Sequence, residues 1–351
     1  MRNIINKLYL KNTLNEEELL YLLKNIDNNH RTYLMEKAFE TRKKYYGKKV
    51  FLRGLIEISN YCKNSCVYCG INCSNKKVNR YRLSEEDILN CCNIGYNIGY
   101  RTFVLQGGED SYYTDDKIVS IIKNIKNQFK DVAVTLSIGE KSYESYKKFY
   151  DAGVDRYLLR EETVNKNLYN SLHPKMSLEN RLNCLKNLKD IGYQVGGGFM
   201  VGLPNESDED YVKELMFLKE LDPHMVGIGP FIPHKDTILK DKESGTLEKT
   251  ITVLAIIRLL LPTVLLPATT ALSTISNNGR AKGLLSGCNV IMPNLSPMEV
   301  RKKYLLYNNK AYVGKEAAQC NELIENEIKS LGLELDFSRG DNLLWKRKKT
   351  L

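Results

Sequence analysis

The chain has 351 residues, of which 42% are hydrophobic and 27% are charged, a composition that excludes wholesale disorder. Lysine and arginine outnumber aspartate and glutamate by 52 to 42, an excess compatible with a nucleic acid, an anionic small ligand or an acidic protein as partner. The longest apolar stretch, residues 251–268, contains Arg258 and two prolines, so it cannot run as an uninterrupted membrane helix. The first residues lack the apolar core of a signal peptide. We therefore expect a cytoplasmic protein that does not bind membranes. Since no stripe of interleaved aromatic and basic residues stands out, we expect no nucleic-acid partner either.

The predicted elements begin with a helical segment from Leu14 to about Lys49, where apolar residues recur at helical spacing. Short β-rich runs then alternate with amphipathic helical stretches. Strands are predicted at Val50–Ile58, Thr102–Gln106, Val132–Ser137, Arg156–Arg160, Val195–Val201, Met225–Gly229, Val264–Ala268 and Val290–Met292. Helices are predicted between them, at Ser84–Ile98, Asp115–Phe129, Ser142–Ala152, Leu178–Ile191, Glu206–Leu221 and Thr246–Leu261.

This alternation predicts an α/β fold with a parallel sheet, and about eight units in about 250 residues match the size of a closed (β/α)8 barrel of the TIM type. An open, doubly wound sheet is the alternative. Since no low-complexity linker or internal repeat is present, we expect one domain. It would comprise N-terminal helices over residues 1–49, a barrel core over 50–296 and a helical C-terminal extension over 297–351.

Polar or glycine-rich segments follow several predicted strands, at residues 60–74, 107–110 and 161–163. In a barrel, the carboxyl ends of all strands open onto the same mouth, where barrel enzymes keep their chemistry. We therefore expect the functional site to be assembled from these segments.

Three of the nine cysteines, Cys62, Cys66 and Cys69, have the spacing C-x3-C-x2-C. Thiolates are the preferred ligands of iron–sulfur clusters and of zinc. Three thiolates on a [4Fe–4S] cluster leave one iron open to a substrate or cofactor. The alternatives are a zinc site or a four-cysteine electron-transfer cluster completed by Cys73, or cysteines that only pack. An odd number of cysteines in a cytosolic chain argues against a disulfide framework.

With Tyr68 as the aromatic residue before the third cysteine, this loop resembles the cluster motif of the radical S-adenosylmethionine (SAM) superfamily, and the turn Gly107-Gly108-Glu109 resembles its second motif. The resemblance implies that the methionine part of SAM chelates the open iron, and that one electron from the cluster cleaves SAM to a 5′-deoxyadenosyl radical. Over nearly the whole chain the sequence resembles the family of the [FeFe]-hydrogenase maturase HydE, related to biotin synthase and methylornithine synthase. The segments that carry this resemblance are 104–110, 155–163, 179–184, 200–204, 225–234, 267–271 and 289–294.

The resemblance also implies roles for individual residues. The cluster would be bound by Cys62, Cys66 and Cys69, and SAM by Tyr68, Gln106, Gly107, Gly108, Glu109, Ser137, Glu162, Arg181 and Met200. The substrate cavity would be lined by Thr135, Arg156, Arg160, Thr269, Thr270 and Tyr304.

Elementary chemistry agrees with two of these roles, because the carboxylate of Glu162 suits a ribose diol and the guanidinium of Arg181 suits a free carboxylate. Arg156 and Arg160 share one face of their strand by the two-residue period. Two inward arginines are unfavourable unless a negative ligand or carboxylates meet them. We therefore expect an anion-binding cavity, with a buried ion-pair network as the alternative. His173 and His234 lie in proline-containing loops, where we expect structural roles.

The activity that the resemblance implies is radical chemistry on a cysteine-ligated Fe(CO)2(CN) precursor of the diiron subcluster of hydrogenase. Companion maturases and an electron donor would be the partners. A radical enzyme acting on an amino-acid-derived substrate is one alternative, and a non-enzymatic iron–sulfur or zinc protein is another. Some members of the family carry a second cluster on three C-terminal cysteines. The matching region, residues 311–323, retains only Cys320, so we predict no second cluster.

Overall fold

Parallel strands form the centre of the fold in the computed structural model, which describes residues 1–314 and 317–348. The strands are β1 (Lys49–Leu52), β2 (Gly54–Ser59), β3 (Thr102–Gly107), β4 (Ala133–Ser137), β5 (Arg156–Leu158), β6 (Gln194–Gly197), β7 (Met200–Val201), β8 (Met225–Val226), β9 (Gly229–Pro230), β10 (Val290–Ile291) and β11 (Glu334–Asp336). The helices are α1 (Arg2–Lys11), α2 (Glu16–Asn25), α3 (Asn28–Tyr46), α4 (Glu85–Asn97), α5 (Asp115–Gln128), α6 (Tyr143–Ala152), α7 (Lys166–Leu172), α8 (Leu178–Ile191), α9 (Asp208–Leu221), α10 (Leu247–Leu260), α11 (Thr270–Ile275), α12 (Gly279–Leu285), α13 (Met298–Arg301) and α14 (Ala317–Ser330).

The predicted closed barrel is confirmed. One parallel sheet has the order β2-β3-β4-β5-β6-β8. Bridges then continue the circle: Met225 pairs with Leu265, Pro267 with Val290, and Asn294 with Leu55 at the start of β2. Because the last bridge returns to the first strand, the sheet is not the open, doubly wound alternative.

Four predicted strands differ from the structure. Val195–Val201 is divided into β6 and β7, and Met225–Gly229 is divided into β8 and β9. The predicted strand Val50–Ile58 is divided at Arg53 into β1 and β2, because β1 pairs with β10 and β11 whereas β2 pairs with β3. The predicted strand Val264–Ala268 contributes isolated bridges only.

The helices form where apolar residues repeat at helical spacing and a polar residue precedes them. In α5, Ile118, Ile121, Ile122 and Ile125 are buried, and the side chain of Thr114 accepts a hydrogen bond from the first turn. Such helices cover the outside of the barrel, so the apolar faces of sheet and helices share one core.

The apolar stretch that contains α10 is explained by burial on all sides. Every residue of α10 from Thr250 to Leu260 is buried, since the helix packs beneath the N-terminal helices α1 and α3. Among the described residues, no helix is long and apolar enough to cross a bilayer.

The C-terminal extension is helical only in part. After α13 and α14 the chain forms β11, which pairs in parallel with β1 through Lys49 and Glu334. The prediction of a helical extension is wrong here, because the sequence does not reveal that β1 has an outer edge for another strand. Residues 339–342 then lie against the amino ends of the barrel strands, where Arg339 accepts a bond from Thr102 through its carbonyl oxygen.

Candidate functional site

A cavity of about 380 Å³ opens at the carboxyl ends of the barrel strands. Its walls include most of the predicted site residues: Cys62, Cys66, Tyr68, Cys69, Gln106, Gly107, Gly108, Glu109, Ser137, Arg160, Glu162, Arg181, Met200, Thr269, Thr270 and Tyr304. The topology therefore brings together residues that are up to 242 positions apart in the sequence.

The loop that carries the three cysteines is held by backbone hydrogen bonds to the surrounding elements. Lys63 N donates to Glu109 O at 2.9 Å, Val67 N to Leu172 O at 3.0 Å, and Gly70 N to Leu306 O at 2.9 Å. Burial raises the pKa of all three thiols, to about 12 for Cys69. Buried thiols of this kind become thiolates when a metal replaces the proton.

Cys73, the fourth cysteine of the segment, does not line the cavity. Its backbone N–H donates to Asn64 O at 2.9 Å, which turns the chain away after the third cysteine. Within the described ranges, no three His, Cys, Asp or Glu side chains could hold a single metal ion. The geometry thus places Cys73 apart from the three cysteines that line the cavity.

The turn after β3 approaches the cysteine loop so closely that it has no room for a side chain at Gly108. A Cβ atom there would lie 2.2 Å from Tyr61 O and 2.7 Å from Cys62 Cβ. The next residue, Glu109, accepts hydrogen bonds from the backbone N–H of Glu140 at 3.0 Å and pairs with Lys63 at 3.2 Å. The second motif therefore fixes the position of the first.

Glu162 has the features of a residue positioned for a ligand. Its φ of 66° lies in the left-handed region that residues other than glycine seldom adopt. One carboxylate oxygen accepts from Arg160 Nε at 3.0 Å, and the other, Oε2, is buried without a hydrogen-bond partner. Since a buried unpaired carboxylate oxygen is unfavourable, this atom needs a donor from a bound molecule.

Arg181, on α8, is held by Glu140 through its Nε at 2.7 Å and by the carbonyl of Arg160. Burial opposes its charge, but the nearby Tyr169 and Glu140 outweigh burial and raise the pKa of Arg181. The guanidinium is therefore a fixed cation in the cavity wall, suited to a carboxylate.

His173 lines the cavity as well, although the sequence indicated only a structural role. Burial lowers the pKa of His173 to about 3, helped by the charge of Arg181, so the ring is neutral. Its Nδ1 lies 3.1 Å from Tyr169 O and its Nε2 lies 2.9 Å from Tyr68 Oη. A neutral ring that donates through Nδ1 accepts at Nε2, which orients the tyrosine of the cysteine motif.

At the far wall, three residues that sequence reasoning missed line the cavity together. Glu57 on β2 is completely buried and pairs with Lys310, and its other oxygen accepts from Asn294 Nδ2 at 2.8 Å. Tyr304 lies beside them, and its hydroxyl accepts from Gln106 Nε2 at 3.3 Å. The sequence does offer a signal for Glu57, because a charged residue stands there between Ile56 and Ile58 in a predicted apolar strand. Lys310 lies in a loop, where no comparable pattern marks it.

The positive charges of this cavity are mostly compensated by the protein itself. Arg160 pairs with Glu162, Arg181 with Glu140, Arg280 with Glu327 and Lys310 with Glu57. The ion-pair network, which was the alternative to an anion-binding cavity, therefore accounts for these four cations. The cavity can bind an anion through its fixed hydrogen-bond donors, but in the described part of the chain it has no large excess of unpaired positive charge.

Two predicted cavity residues, Thr135 and Arg156, lie outside the cavity lining. Arg156 stands at the amino end of β5, where it bonds the carbonyl of Arg339 at 2.6 Å and the carboxylate of Asp341. Thr135 is its partner in the β4–β5 register. Their placement in the cavity is corrected, because both residues belong to the lower layer of the barrel. The buried ion pair is the alternative that applies to Arg156.

Cys320 was the basis for predicting no second cluster. Its side chain lies outside the described residues, so that statement stays a prediction.

Comparisons with known proteins agree with this arrangement. The Radical SAM superfamily matches residues 56–218. The chain is 45% identical over 331 residues to the [FeFe] hydrogenase maturase subunit HydE of Thermotoga maritima, covering 94% of each chain. The chain belongs to the HydE family of the radical SAM superfamily. It is also 32% identical to 3-methylornithine synthase of Methanosarcina acetivorans over 82% of each chain.

Solved structures show the same fold. The methylornithine synthase PylB superposes with a TM-score of 0.85 at 26% identity, covering 95% of this chain and 97% of that one. The hydrogenase maturase HydG superposes with a TM-score of 0.81 at 22% identity, covering 95% of this chain and 75% of that one, and this likeness concerns the fold alone.

As a member of this family, the chain is a radical SAM enzyme, and the family uses a [4Fe–4S] cluster together with SAM. The residues present fit those groups. Three thiols face one cavity, the glycine turn has its backbone against their loop, and Glu162 Oε2 has no partner in the protein. When bound, the cluster and SAM supply a one-electron cleavage that yields a 5′-deoxyadenosyl radical.

Proposed function

We propose that this enzyme matures the active site of [FeFe]-hydrogenase by radical chemistry on a cysteine-ligated Fe(CO)2(CN) precursor of the diiron subcluster. The observation that carries the proposal is the 45% identity to HydE over 94% of both chains. The cavity supports it, because it combines fixed cations with hydroxyl groups that suit cyanide and carboxylate ligands. Companion maturases would deliver the precursor and accept the product.

In this proposal Cys62, Cys66 and Cys69 bind three irons of the cluster and leave the fourth open to SAM. Support comes from their common position on the cavity wall and from the separate position of Cys73.

The SAM-binding roles follow from the same geometry. Glu162 Oε2 would accept from the ribose hydroxyls, since it is buried and unpaired. Arg181 would bind the methionine carboxylate, and the Gly107–Glu109 turn would take the amino group. Tyr68, Gln106, Ser137 and Met200 would complete the pocket around the nucleoside.

The precursor would occupy the remaining part of the cavity, among Arg160, Thr269, Thr270 and Tyr304. Thr269 Oγ1 supports this placement, because it is buried without a hydrogen-bond partner although it lines the cavity. The missed residues Glu57, Asn294 and Lys310 would form the end wall of this part.

The test is anaerobic activation of an apo-[FeFe]-hydrogenase that lacks its diiron subcluster, in a mixture with the companion maturases. We expect hydrogen evolution only when the enzyme, SAM and a reductant are added. Cys66→Ala should abolish activation, whereas Cys73→Ala, in the same segment but outside the cavity, should retain it. Cleavage of SAM without any activation of hydrogenase would contradict the proposed substrate. It would favour the alternative of a radical enzyme acting on an amino-acid-derived substrate, and the 3-methylornithine synthase of Methanosarcina acetivorans is 32% identical to this chain.

A further inference from the structure

Two acidic residues, Glu161 and Glu214, are completely buried beside Glu162, the residue proposed above to bind the ribose. In the ranges that the structure describes, neither carboxyl group forms an ion pair with a lysine, arginine or histidine. Each has one oxygen that is buried without a hydrogen-bond partner, Oε1 of Glu161 and Oε2 of Glu214. Two buried acids without a counter-ion are unfavourable, and the radical chemistry proposed above uses neither, so their place in the core calls for an explanation.

Glu161 holds the chain on one side of Glu162. Its Oε2 accepts a hydrogen bond from Gly198 N at 2.9 Å, while Gly198 O accepts one from Glu162 N at 3.1 Å. Gly198 is packed so closely against the next part of the barrel that a Cβ atom there would lie 2.2 Å from Gly227 O. Two successive residues are therefore tied to one fixed point of the backbone.

Glu214, on α9, holds the chain on the other side. One of its carboxyl oxygens accepts a hydrogen bond from Val164 N. One turn earlier on the same helix, Asp210 Oδ1 accepts from Asn165 Nδ2 at 2.8 Å. The helix therefore fixes the second and third residues after Glu162.

These contacts enclose the residue that most needs them. Glu162 has a φ of 66°, a conformation that a residue other than glycine keeps only where the surrounding structure imposes it. We infer that Glu161 and Glu214 are positioning residues for SAM, two uncharged acids that hold Glu162 in its left-handed conformation with Oε2 free for the ligand. Their role rests on the one proposed above for Glu162 and adds to it the contacts that make it possible.

The surroundings of the two acids keep them uncharged. Burial raises the pKa of Glu161 to about 8, and the charge of Glu162 adds to this effect. Burial and the nearby Glu161 raise the pKa of Glu214. The charged or titratable groups that face them are Arg160, Glu162, Glu206 and Asp210. Because Arg160 is already paired with Glu162, a charge on Glu161 would repel the carboxylate of Glu162 instead of meeting a free cation.

The first experiment measures SAM affinity at pH 7 by equilibrium dialysis on the reconstituted enzyme, with iron content as a check on the cluster. Glu161→Leu and Glu214→Leu should each bind SAM about 10-fold more weakly than the wild type, because Glu162 then leaves its left-handed conformation in most molecules. Glu161→Gln and Glu214→Gln should bind SAM normally, since an amide oxygen accepts the same backbone hydrogen bonds. Iron content should be equal in all of them.

The second experiment tests the charge of Glu161 through the pH dependence of SAM affinity. The wild type and Glu161→Gln are compared at each pH, so that titration of the SAM amino group cancels. They should bind equally at pH 7. At pH 9 the wild type should bind about 10-fold more weakly, because the uncharged fraction of a group with a pKa of about 8 falls about tenfold between these pH values.

The matched control for the second experiment is Glu206→Gln. Glu206 is also an acid whose pKa is raised by burial, but its Oε2 accepts from Gly202 N at 2.8 Å and Leu203 N at 3.1 Å instead of holding the segment around Glu162. Glu206→Gln should therefore keep the wild-type decline in affinity above pH 8.

Normal SAM binding by both leucine variants would overturn the inference, as would equally weak binding by the leucine and glutamine variants. If the leucine variants do not fold, the comparison of the wild type with Glu161→Gln decides, and equal declines toward pH 9 would overturn the inference. Glu162→Gln is measured in parallel. Normal binding by that variant would refute the proposed role of Glu162 and the positioning role with it, whereas weak binding by Glu162→Gln beside normal binding by the leucine variants would refute the positioning role alone.

Discussion

Neutralising Asp341 should destabilise the barrel without affecting its chemistry. Arg156 is 1% exposed, and the carboxylate of Asp341 lies 2.5 Å from its Nη2. Among the described residues, no other carboxylate bonds this guanidinium. Asp341→Asn would therefore leave a buried cation without its counter-charge, and such a change strongly lowers the free energy of unfolding.

The magnitude follows from the structure in two ways. Burial opposes the charge of Asp341, but Arg156 and Arg339 outweigh burial and lower the pKa of Asp341 to about 2. A shift from 3.8 to about 2 corresponds to about 2 kcal/mol of stability. Breaking a fully buried pair costs about 3–5 kcal/mol, and because the Asp341 side chain is 29% exposed, the cost here should lie at or below the lower end of that range. We expect a loss of about 2–3 kcal/mol in the free energy of unfolding.

The measurement is urea denaturation of the wild type, Asp341→Asn, Arg156→Met and the double variant. Because the folded-state pKa of Asp341 is depressed, its contribution is fully present above about pH 4 and is lost as the pH falls toward 2. The double variant should be more stable than the sum of the single changes, since it no longer buries an unpaired charge. SAM cleavage by Asp341→Asn at low temperature should equal the wild type. A loss below about 0.5 kcal/mol, or a double-mutant coupling near zero, would refute this reasoning.

Three further predictions concern the cavity. Gly108→Ala should destabilise the protein by about 1–3 kcal/mol and lower its iron content, since the new Cβ would lie 2.2 Å from Tyr61 O. At Gly107 the nearest atom would be 3.2 Å away, so Gly107→Ala should bind iron normally. Glu162→Gln should weaken SAM binding about 10- to 100-fold through the lost charge-assisted hydrogen bond, measured by equilibrium dialysis. The adjacent Glu161→Gln should bind SAM normally, because burial raises the pKa of Glu161 to about 8, so that the native group is mostly a neutral acid at pH 7. Burial lowers the pKa of His173 to about 3, so only the unfolded chain binds its proton between pH 6.5 and pH 5. The contribution of His173 to folding stability should fall by about 2 kcal/mol over that range. Because burial lowers the pKa of His224 and His234 as well, His173→Gln should reduce the slope of stability against pH by this amount without removing it, as measured by denaturation across the range.

Sequence reasoning located the barrel because its signals are local. Apolar β-rich runs such as residues 132–137 and 195–201 alternate with helices whose caps are written in the sequence, as at Thr114. In a barrel the carboxyl ends of all strands meet at one mouth. The topology alone therefore predicts that Cys62 and Glu109, which follow two of these strands, lie close together.

The rest depended on contacts that no local pattern records. The two-residue period predicted Arg156 and Arg160 on one face of a strand, but β5 ends at Leu158, and the three residues between the two arginines carry the chain from one layer of the barrel to the next. Arg156 therefore meets the C-terminal segment, whereas Arg160 reaches the cavity. Lys310 was missed for a similar reason, since its partner Glu57 is 253 residues away. His173 was underrated because its neutrality follows from burial, which a single sequence does not show.

The pairing of β1 with β11 has a consequence for how the protein is made. Lys49 emerges early in synthesis, but its strand neighbour Glu334 is added 285 residues later, when almost all of the chain has left the ribosome. Contacts so distant along the chain form late and slowly, because their loop-closure entropy is not offset until both ends are present. Until β11 is synthesised, the outer edge of β1 has no strand partner, and such unpaired edges promote association with other chains.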